Sequence, residues 1–444
     1  MLSIGLMSGT SMDGIDAALL ETDGEHTLQA LGHASLIYDS ETQILLKSAE
    51  RAVKDALGDM EQAEQHFTTA IKNCLTQELL YSAAQCERCI KQLNHYLQAP
   101  LTLSNVIEHS TRLHHRLVNQ LLSETGHVSQ SIDLIGYHGQ TLYHQPSQKK
   151  TIQVGDGALL ARLSGTTVIN DFRRQDVAAG GQGAPFAPIY HLALARRGHK
   201  IPVVIVNCGG IANASFIPDE RIEHLIGLDT GPGNGLIDAL IKKRTMGRES
   251  MDTHGHYGLK GCVNEAILNT LFQESLPQTP NYFLLPPPKS LDLRDFVLIP
   301  ALDALSLEDA CRTLEAFTAE CMVRSAHLLP SLAATIPTHW ILAGGGGYNP
   351  VIKQELLTRL KTTFGDHYSL ETASEAGWGN CAIEAELMAY FAVRSLKNLP
   401  LSMPGTTRVP MPLSGGTAHR PPAGATPAVN ALLIKNHVTL TDNP

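Results

Sequence analysis

Nowhere in the 444 residues do apolar side chains run for the roughly eighteen positions that a membrane-crossing helix needs. No membrane partner is therefore expected. Basic clusters are missing too. Lysine and arginine number 34 against 43 aspartates and glutamates, and they occur only as scattered pairs such as Lys242 and Lys243. That balance, a net charge of -9, disfavours nucleic acid as a partner. It does not exclude an anionic ligand, because local donors decide that. The opening MLSIGLMSGT lacks a basic segment leading into a long apolar one, so no export signal is expected. The 8 cysteines are dispersed, which fits a reduced, cytoplasmic protein. The lone CxxC, Cys86 and Cys89 in AAQCERCIKQL, reads as one face of a helix. With no second pair it does not make a four-ligand zinc site. The GxxxxGK[ST] phosphate loop is absent, as is a GxGxxG that opens a helix after a strand. These absences exclude a Walker-type NTPase and disfavour a dinucleotide fold.

What is present is an ordinary globular composition, 43% hydrophobic and 17% charged. The length suggests two or three domains, or one two-lobed enzyme. Residues 2–8 and 15–21 read as strands joined by a glycine-rich hairpin. Residues 41–125 read mostly as helices. In TRLHHRLVNQLLSE, Leu113, Leu117, Val118, Leu121 and Leu122 share one face, and His114 and His115 beside it are expected to be solvated. Further strands are expected at 133–136, 166–170, 202–207, 225–229 and 339–343. GLIDALIKKR reads as a helix, as does the segment after Asn349 and Pro350, a cap and a first-turn residue. Polar and glycine-rich loops follow strand after strand, the α/β pattern in which ligands bind beyond strand ends. A boundary is expected near 185–202. The segment from 417 is rich in proline, alanine and glycine and lacks periodicity; it reads as flexible, with a short strand within ALLIKNHVTL.

The loops carry the chemistry. In SGTSMDGID, Gly9 and Gly14 permit tight backbone, and amides around Gly9, Thr10 and Ser11 can form an anion-binding nest. Asp13 and Asp16 would repel a bare phosphate, but suit Mg²⁺, which takes one or two carboxylates together with phosphate oxygens. A plain hairpin turn would use the same residue types. In NCGGIAN, Gly209 and Gly210 allow close approach of a ligand. In LDTGPGNG, Asp229 ends a strand, where a carboxylate suits a general base, a metal ligand or simply a helix N-terminus. AGGGGYNP offers an almost bare backbone. In DFRRQDVAAGGQGAP, Arg173 and Arg174 can hold a carboxylate, while Asp176 and Gln182 can bond hydroxyls or an amide. A buried ion pair is the competing reading there. His138 and Gln140 in YHGQT stand similarly. The two histidines of DTHGHYG lack a third ligand and read as structural. Taken together, the glycine loops and a candidate base point to nucleotide-dependent phosphoryl transfer.

GLMSGTSMDGID, GYHGQTLYHQP, DFRRQDVAAGGQGAP, NCGGIAN, LDTGPGN, PPPKSLD and GGGGYNP, in that order over residues 1–416, make the chain resemble the anhydro-N-acetylmuramic acid kinases of the actin/Hsp70/sugar-kinase superfamily. The resemblance implies an α/β fold of two actin-like (ribonuclease H-like) lobes with an ATP and sugar cleft between them. It implies an N-terminal lobe over 1–190, a C-terminal lobe over 191–416 and a tail over 417–444. By the same likeness Gly9, Thr10, Ser11, Met12, Asp13, Gly14, Ile15 and Asp16 form a first phosphate loop, with Asp13 and Asp16 toward the metal. Asn207, Gly209 and Gly210 belong to a second phosphate loop, and Gly344, Gly345, Gly346 and Gly347 to an adenosine-side loop. Asp229 matches the catalytic aspartate. His138, Arg173, Arg174, Asp176 and Gln182 fall on the sugar side. The implied reaction uses ATP and Mg²⁺: a water activated by Asp229 opens the 1,6-anhydro bridge of 1,6-anhydro-N-acetylmuramic acid, and O6 takes the γ-phosphate. The products would be N-acetylmuramic acid 6-phosphate, for cell-wall recycling, and ADP. A homodimer is plausible for such an enzyme. Two alternatives are an ATP-hydrolysing actin/Hsp70-like switch protein and a kinase of an ordinary amino sugar. The chain departs from its relatives at Asn380 and Cys381, where an acid is common, and at Leu293, where they tend to be polar.

Overall fold

The computed structural model describes residues 1–291, 293–329, 336–378, 382–436, 438, 440 and 441. Asn380 and Cys381 lie outside the described residues. The chain divides into two compact units. One comprises residues 1–183, 382–402 and 409–444; the other comprises 184–381 and 403–408.

In the first unit, β1 (Leu2–Ser8) and β2 (Gly14–Thr22) form the expected antiparallel hairpin, with Ser8 opposite Ile15. β3 (Leu28–Ile37) continues it antiparallel on the far side of β2. β4 (Leu134–Tyr137) then lies parallel to β1. β5 (Gln140–Gln145) and β6 (Lys150–Val154) make a separate hairpin. β7 (Thr167–Asn170) lies parallel to β4. The main sheet is completed by β13 (Thr417–His419) and β14 (Leu440–Thr441), in the order β14-β13-β7-β4-β1-β2-β3.

In the second unit, β8 (Val203–Cys208), β9 (Ile211–Ile217) and β10 (Ile226–Pro232) are antiparallel. β11 (His339–Ala343) is parallel to β8, and β12 (Ser369–Thr372) is parallel to β11. The order is β10-β9-β8-β11-β12. Both sheets thus place three antiparallel strands and then two parallel ones around a central first strand, the ribonuclease H-like arrangement. The central strand of the second sheet shows why its sequence is unbroken VVIV: Val203, Val204, Ile205 and Val206 are all fully buried.

Helices cover the sheets. The helix Leu103–Thr125 buries the predicted stripe of Leu113, Leu117, Val118, Leu121 and Leu122. His114 is not solvated as its neighbours' periodicity suggests. It is fully buried, its ring lies 4.7 Å from that of Tyr137, and its Nδ1 meets the Ser110 carbonyl at 2.8 Å. Burial pushes its pKa down to about 4, so the ring is neutral and apolar enough for the core. Cys86 and Cys89 sit buried in the helix Ala83–Leu97, as expected.

The helix Ile383–Leu396 belongs to the first unit, not with 191–416. Its backbone approaches the sheet so closely that a Cβ on Gly5 would stand 1.8 Å from the Ala385 carbonyl oxygen, and one on Gly136 2.0 Å from that of Met388. Ser3 Oγ seals the contact by donating to the Ala389 carbonyl at 2.9 Å. The segment after 416 is likewise more ordered than its composition implies. Ala418 is fully buried opposite Ile169, a helix spans Pro427–Lys435, and among the described residues the short strand expected within ALLIKNHVTL is confined to its end, at Leu440–Thr441. Thr426 caps that helix, and Val429 and Leu433 bury its apolar side. None of the described helices is long and apolar enough to cross a membrane.

Candidate active site

In the first unit the β1–β2 turn is anchored by one side chain. Met12 adopts a left-handed backbone (φ 55°) and drops its side chain into the core, 2% exposed. Ile15 is buried beside it, so neither side chain reaches out; what the turn presents is backbone and the exposed Thr10, Ser11 and Asp13. Gln140 Nε2 donates to the Gly9 carbonyl at 2.9 Å, and the Tyr38 amide to that of Asp13 at 2.9 Å. Among the described residues the Thr10 and Ser11 amides meet no protein acceptor. They are available to an anion.

Ser11 Oγ donates to Asp13 Oδ1 at 2.8 Å, and Ser35 Oγ to Asp16 Oδ1 at 2.5 Å. No cluster of three or more histidines, cysteines, aspartates or glutamates occurs among the described residues, so there is no closed protein cage for a metal. Two separate carboxylates beside an anion nest suit a cation that keeps its waters and leans on phosphate oxygens.

The segment after β7 forms a connected polar chain. Gly139 O accepts from His138 Nδ1 at 2.7 Å, which leaves His138 Nε2 to accept from Arg173 Nε at 3.0 Å. Burial, then the Arg173 charge, push His138 down to about 3, so the neutral acceptor form is the one present. Arg173 Nη1 donates onward to the Gly183 carbonyl, and the Gly183 amide to Asp176 Oδ1. Asp176 is 1% exposed, so its carboxylate shapes the loop and does not face solvent. Arg174 is exposed and pairs with Asp171. Gln182 is half-buried, and its backbone bonds His144.

Two residues here were not singled out in the sequence. His144 is pushed down to about 4 by burial and Arg173. A bulge between Thr141 and Tyr143 breaks the strand's alternation, which hides its side. Glu384 opens the helix Ile383–Leu396. Desolvation raises its carboxyl, Arg173 opposes that and Asp16 adds to it. Two acids, Glu384 and Glu386, in the first turn of an otherwise apolar helix were the signal available.

In the second unit three loops interlock. The Gly233 amide donates to the Gly210 carbonyl at 2.9 Å, and the Asn234 amide to that of Gly209 at 2.7 Å. Asn234 Nδ2 reaches the Cys208 carbonyl at 3.3 Å. Gly344 (φ 76°) and Gly346 pass against β8: a Cβ on Gly344 would lie 2.5 Å from Asn207 Oδ1, and one on Gly346 2.4 Å from Cys208 Sγ. Beside this loop a cavity of ≈ 220 Å³ is lined by Gly344, Gly347, Tyr348, Thr372 and Ser374 among others. Leu293 Cδ2 comes within 3.5 Å of where a Cβ on Gly210 would stand, so an apolar side chain packs beside the Gly209–Gly210 turn.

Asp229 is the last residue of β10 in regular register, opposite Asn213, and the register shift that follows skips Thr230 before Gly231 pairs with Ala212. The segment 282–291 then holds it at several points. The Asp229 amide donates to the Lys289 carbonyl at 2.8 Å, its carbonyl accepts from Tyr282 Oη at 2.7 Å, and its Oδ2 accepts from the Leu291 amide at 2.8 Å. Lys289 is 4% exposed, with Nζ 2.9 Å from the Tyr282 carbonyl and 4.3 Å from that ring's centre. Desolvation pushes Asp229 up to about 7 against the opposing Leu291 hydrogen bond and Lys289 charge, and pushes Lys289 down to about 8. A carboxylate that titrates near neutrality, with Oδ1 not engaged by that loop, can accept a proton from a bound molecule. Lys289 lies in PPPKSLD, a motif that carries no geometry of its own, and Tyr282 lies four residues before it, so neither was assigned from the sequence.

The family model described as anhydro-N-acetylmuramic acid kinase matches residues 1–99 and 84–419. Three curated relatives carry that same name. One from Rhizorhabdus wittichii is 38% identical over 421 residues, covering 95% of this chain and 99% of its own. One from Phenylobacterium zucineum is 39% identical, covering 95% and 100%. One from Nitrobacter winogradskyi is 36% identical, again covering 95% and 100%.

Proposed function

The chain belongs to the anhydro-N-acetylmuramic acid kinase family, and from that premise we propose how its residues divide the work. The protein is an ATP-dependent kinase acting on an anhydro amino sugar in cell-wall recycling. Its substrates are ATP and 1,6-anhydro-N-acetylmuramic acid, whose O6 is locked in an ether bridge to C1. There is no free 6-hydroxyl to phosphorylate, so the bridge must open.

Asp229 is the general base. It takes a proton from a water as the water oxygen bonds C1; the C1–O6 bond breaks; O6 bonds the γ-phosphorus; and ADP leaves. The balance is one water and one ATP consumed, with N-acetylmuramic acid 6-phosphate and ADP formed and the proton taken by Asp229 released to solvent. The observation that carries this role is a carboxylate raised to about 7 and held by three contacts from one segment. Such a base contributes about 10²–10⁴-fold, and the rest comes from positioning and charge.

Gly9, Thr10, Ser11 and Asp13 with Asn207, Gly209 and Gly210 receive the phosphates, and 344–347 the adenosine side. Mg²⁺, held through Asp13 or Asp16 and its own waters, would neutralise phosphate charge. Arg173 is committed to His138 and Gly183, so it orders the sugar-side segment. Arg174, exposed and paired with Asp171, would then be the arginine that meets the lactyl carboxylate, which a neutral hexose lacks. A homodimer and a cytoplasmic location fit this role.

One assay tests the reading. Enzyme, ATP and Mg²⁺ are supplied with either 1,6-anhydro-N-acetylmuramic acid or N-acetylglucosamine. ADP release only with the anhydro sugar is expected; release only with N-acetylglucosamine would overturn it.

A further inference from the structure

Glu315, which has no role in the reaction described above, is fully buried in the middle of the helix Leu307–Ser325. Its Oε1 accepts from Asn349 Nδ2 at 2.7 Å. Its Oε2 has no hydrogen-bond donor and lies so close to Gly258 that a Cβ there would sit 1.8 Å away. The carboxyl is also in hydrogen-bonding contact with Asp252. Two carboxylates cannot bond without a proton between them.

The donors decide where that proton sits. Asp252 is satisfied as an anion: Oδ1 accepts the Tyr257 amide at 2.9 Å and Oδ2 the Gly258 amide at 3.0 Å. Glu315 has only the one donor, so the proton belongs on its Oε2 and points at Asp252. The remaining charges nearby do not rescue an ionised Glu315. Arg312, one turn earlier on the same helix, is engaged by Glu355 at 2.7 Å, and Cys311 and Tyr257 bring no positive charge. Desolvation accordingly pushes Glu315 up to about 8, with Asn349 opposing and Asp252 adding.

Asn349 is the link outward. Its Oδ1 accepts from the Val351 amide at 2.9 Å, capping the helix Pro350–Phe364, and its own amide donates to the Gly346 carbonyl at 3.1 Å. The amide orientation is fixed by these partners: Oδ1 must accept and Nδ2 must donate. We propose that Glu315, protonated and shared with Asp252, is a positioning residue for the 344–347 loop, acting through Asn349. This rests on the assignment of that loop to the nucleotide. Deprotonation puts two buried negative charges in contact, pulls Glu315 from its place and releases the Asn349 cap beside the loop.

The test is nucleotide affinity against pH. KM for ATP and calorimetric binding of ADP are measured from about pH 7 to about pH 9.5, with KM for the sugar as control. In the wild type, nucleotide affinity should weaken by about fivefold or more over that range as the proton is lost. Glu315→Gln keeps both hydrogen bonds without a titrating proton, so its affinity should match the wild type at pH 7 and stay flat. Asp252→Asn, which gives up one of the two backbone hydrogen bonds but removes the second carboxylate and offers Glu315 an amide donor, should also be flat and serves should the first variant not fold. A flat wild-type profile, or an unchanged decline in both variants, overturns the proposal. Failure of the wild type to bind ADP at pH 7 overturns the loop's assignment, and this proposal with it.

Discussion

The amide of Asp229 donates to the carbonyl of Lys289 across 2.8 Å, so the candidate base and the cation that biases it are locked in register through backbone. The side chains cannot drift apart without breaking the strand edge. Asp229→Asn removes proton acceptance while keeping shape and most hydrogen bonds. Turnover should fall by about 10²–10⁴-fold, with ADP affinity changed little. Steady-state kinetics and calorimetry read the two separately; retained turnover would place the base elsewhere.

The wild-type enzyme should lose activity on acidification. A base must be ionised to act, and Asp229 is pushed up to about 7, so the ionised fraction falls as pH drops through that value. The kcat/KM for the sugar should decline about tenfold per pH unit well below 7 and level off above it. The profile is read in mixed buffers of constant ionic strength.

Lys289→Met should move that acid limb to higher pH. Lys289 opposes the rise of Asp229, and without it the carboxyl climbs further. Activity lost at pH 7 should return in part at pH 9. Lys289→Arg, which keeps the charge, should move the limb less. A uniform loss at every pH would mean that Lys289 only holds the loop.

Gly209→Ala and Gly346→Ala separate ligand approach from packing. A Cβ on Gly209 meets only the Ile211 carbonyl, at 3.5 Å, so the fold should tolerate it. If phosphate passes against Gly209, KM for ATP rises nonetheless. A Cβ on Gly346 would lie 2.4 Å from Cys208 Sγ, and that overpacking should cost about 1–3 kcal/mol of stability. Denaturant melts and ATP titrations of both variants check the contrast.

Gly5→Ala should be more damaging than either. Its Cβ would strike the Ala385 backbone, which cannot rotate away as a side chain can. Loss of the folded first unit, with its melting transition, is the expected outcome.

Much of this was legible in the sequence because it is local. The GLMSGTSMDG hairpin, the Asn349 cap with Pro350, the VVIV centre and the CxxC on a helix all obey short-range rules, and the structure bears them out. What was not legible is what depends on distant packing. His114 follows a solvated-looking pattern, yet Tyr137 and the Ser110 carbonyl give it a buried place. His144 changes side because of a bulge. Asp176 looked like a ligand for hydroxyls and instead accepts a loop amide. Lys289 and Glu315 become informative only beside Asp229 and Asp252, which lie 60 and 63 positions away in the chain. The tail's helix comes from Val429 and Leu433 finding a surface, not from composition.

The return of residues 382–402 and 409–444 to the first unit sets an order on synthesis. Domains generally fold as the ribosome releases them, amino-terminal first. Here the second unit is almost continuous, 184–381, and can collapse while the chain is still growing. The unit that begins emerging first must wait, with the bare glycine faces of β1 and β4 uncovered, until the helix carrying Ala385 and Met388 leaves the exit tunnel. The half translated earliest is the half completed last, and a truncation near the carboxyl terminus would strike the turn that begins at Gly9.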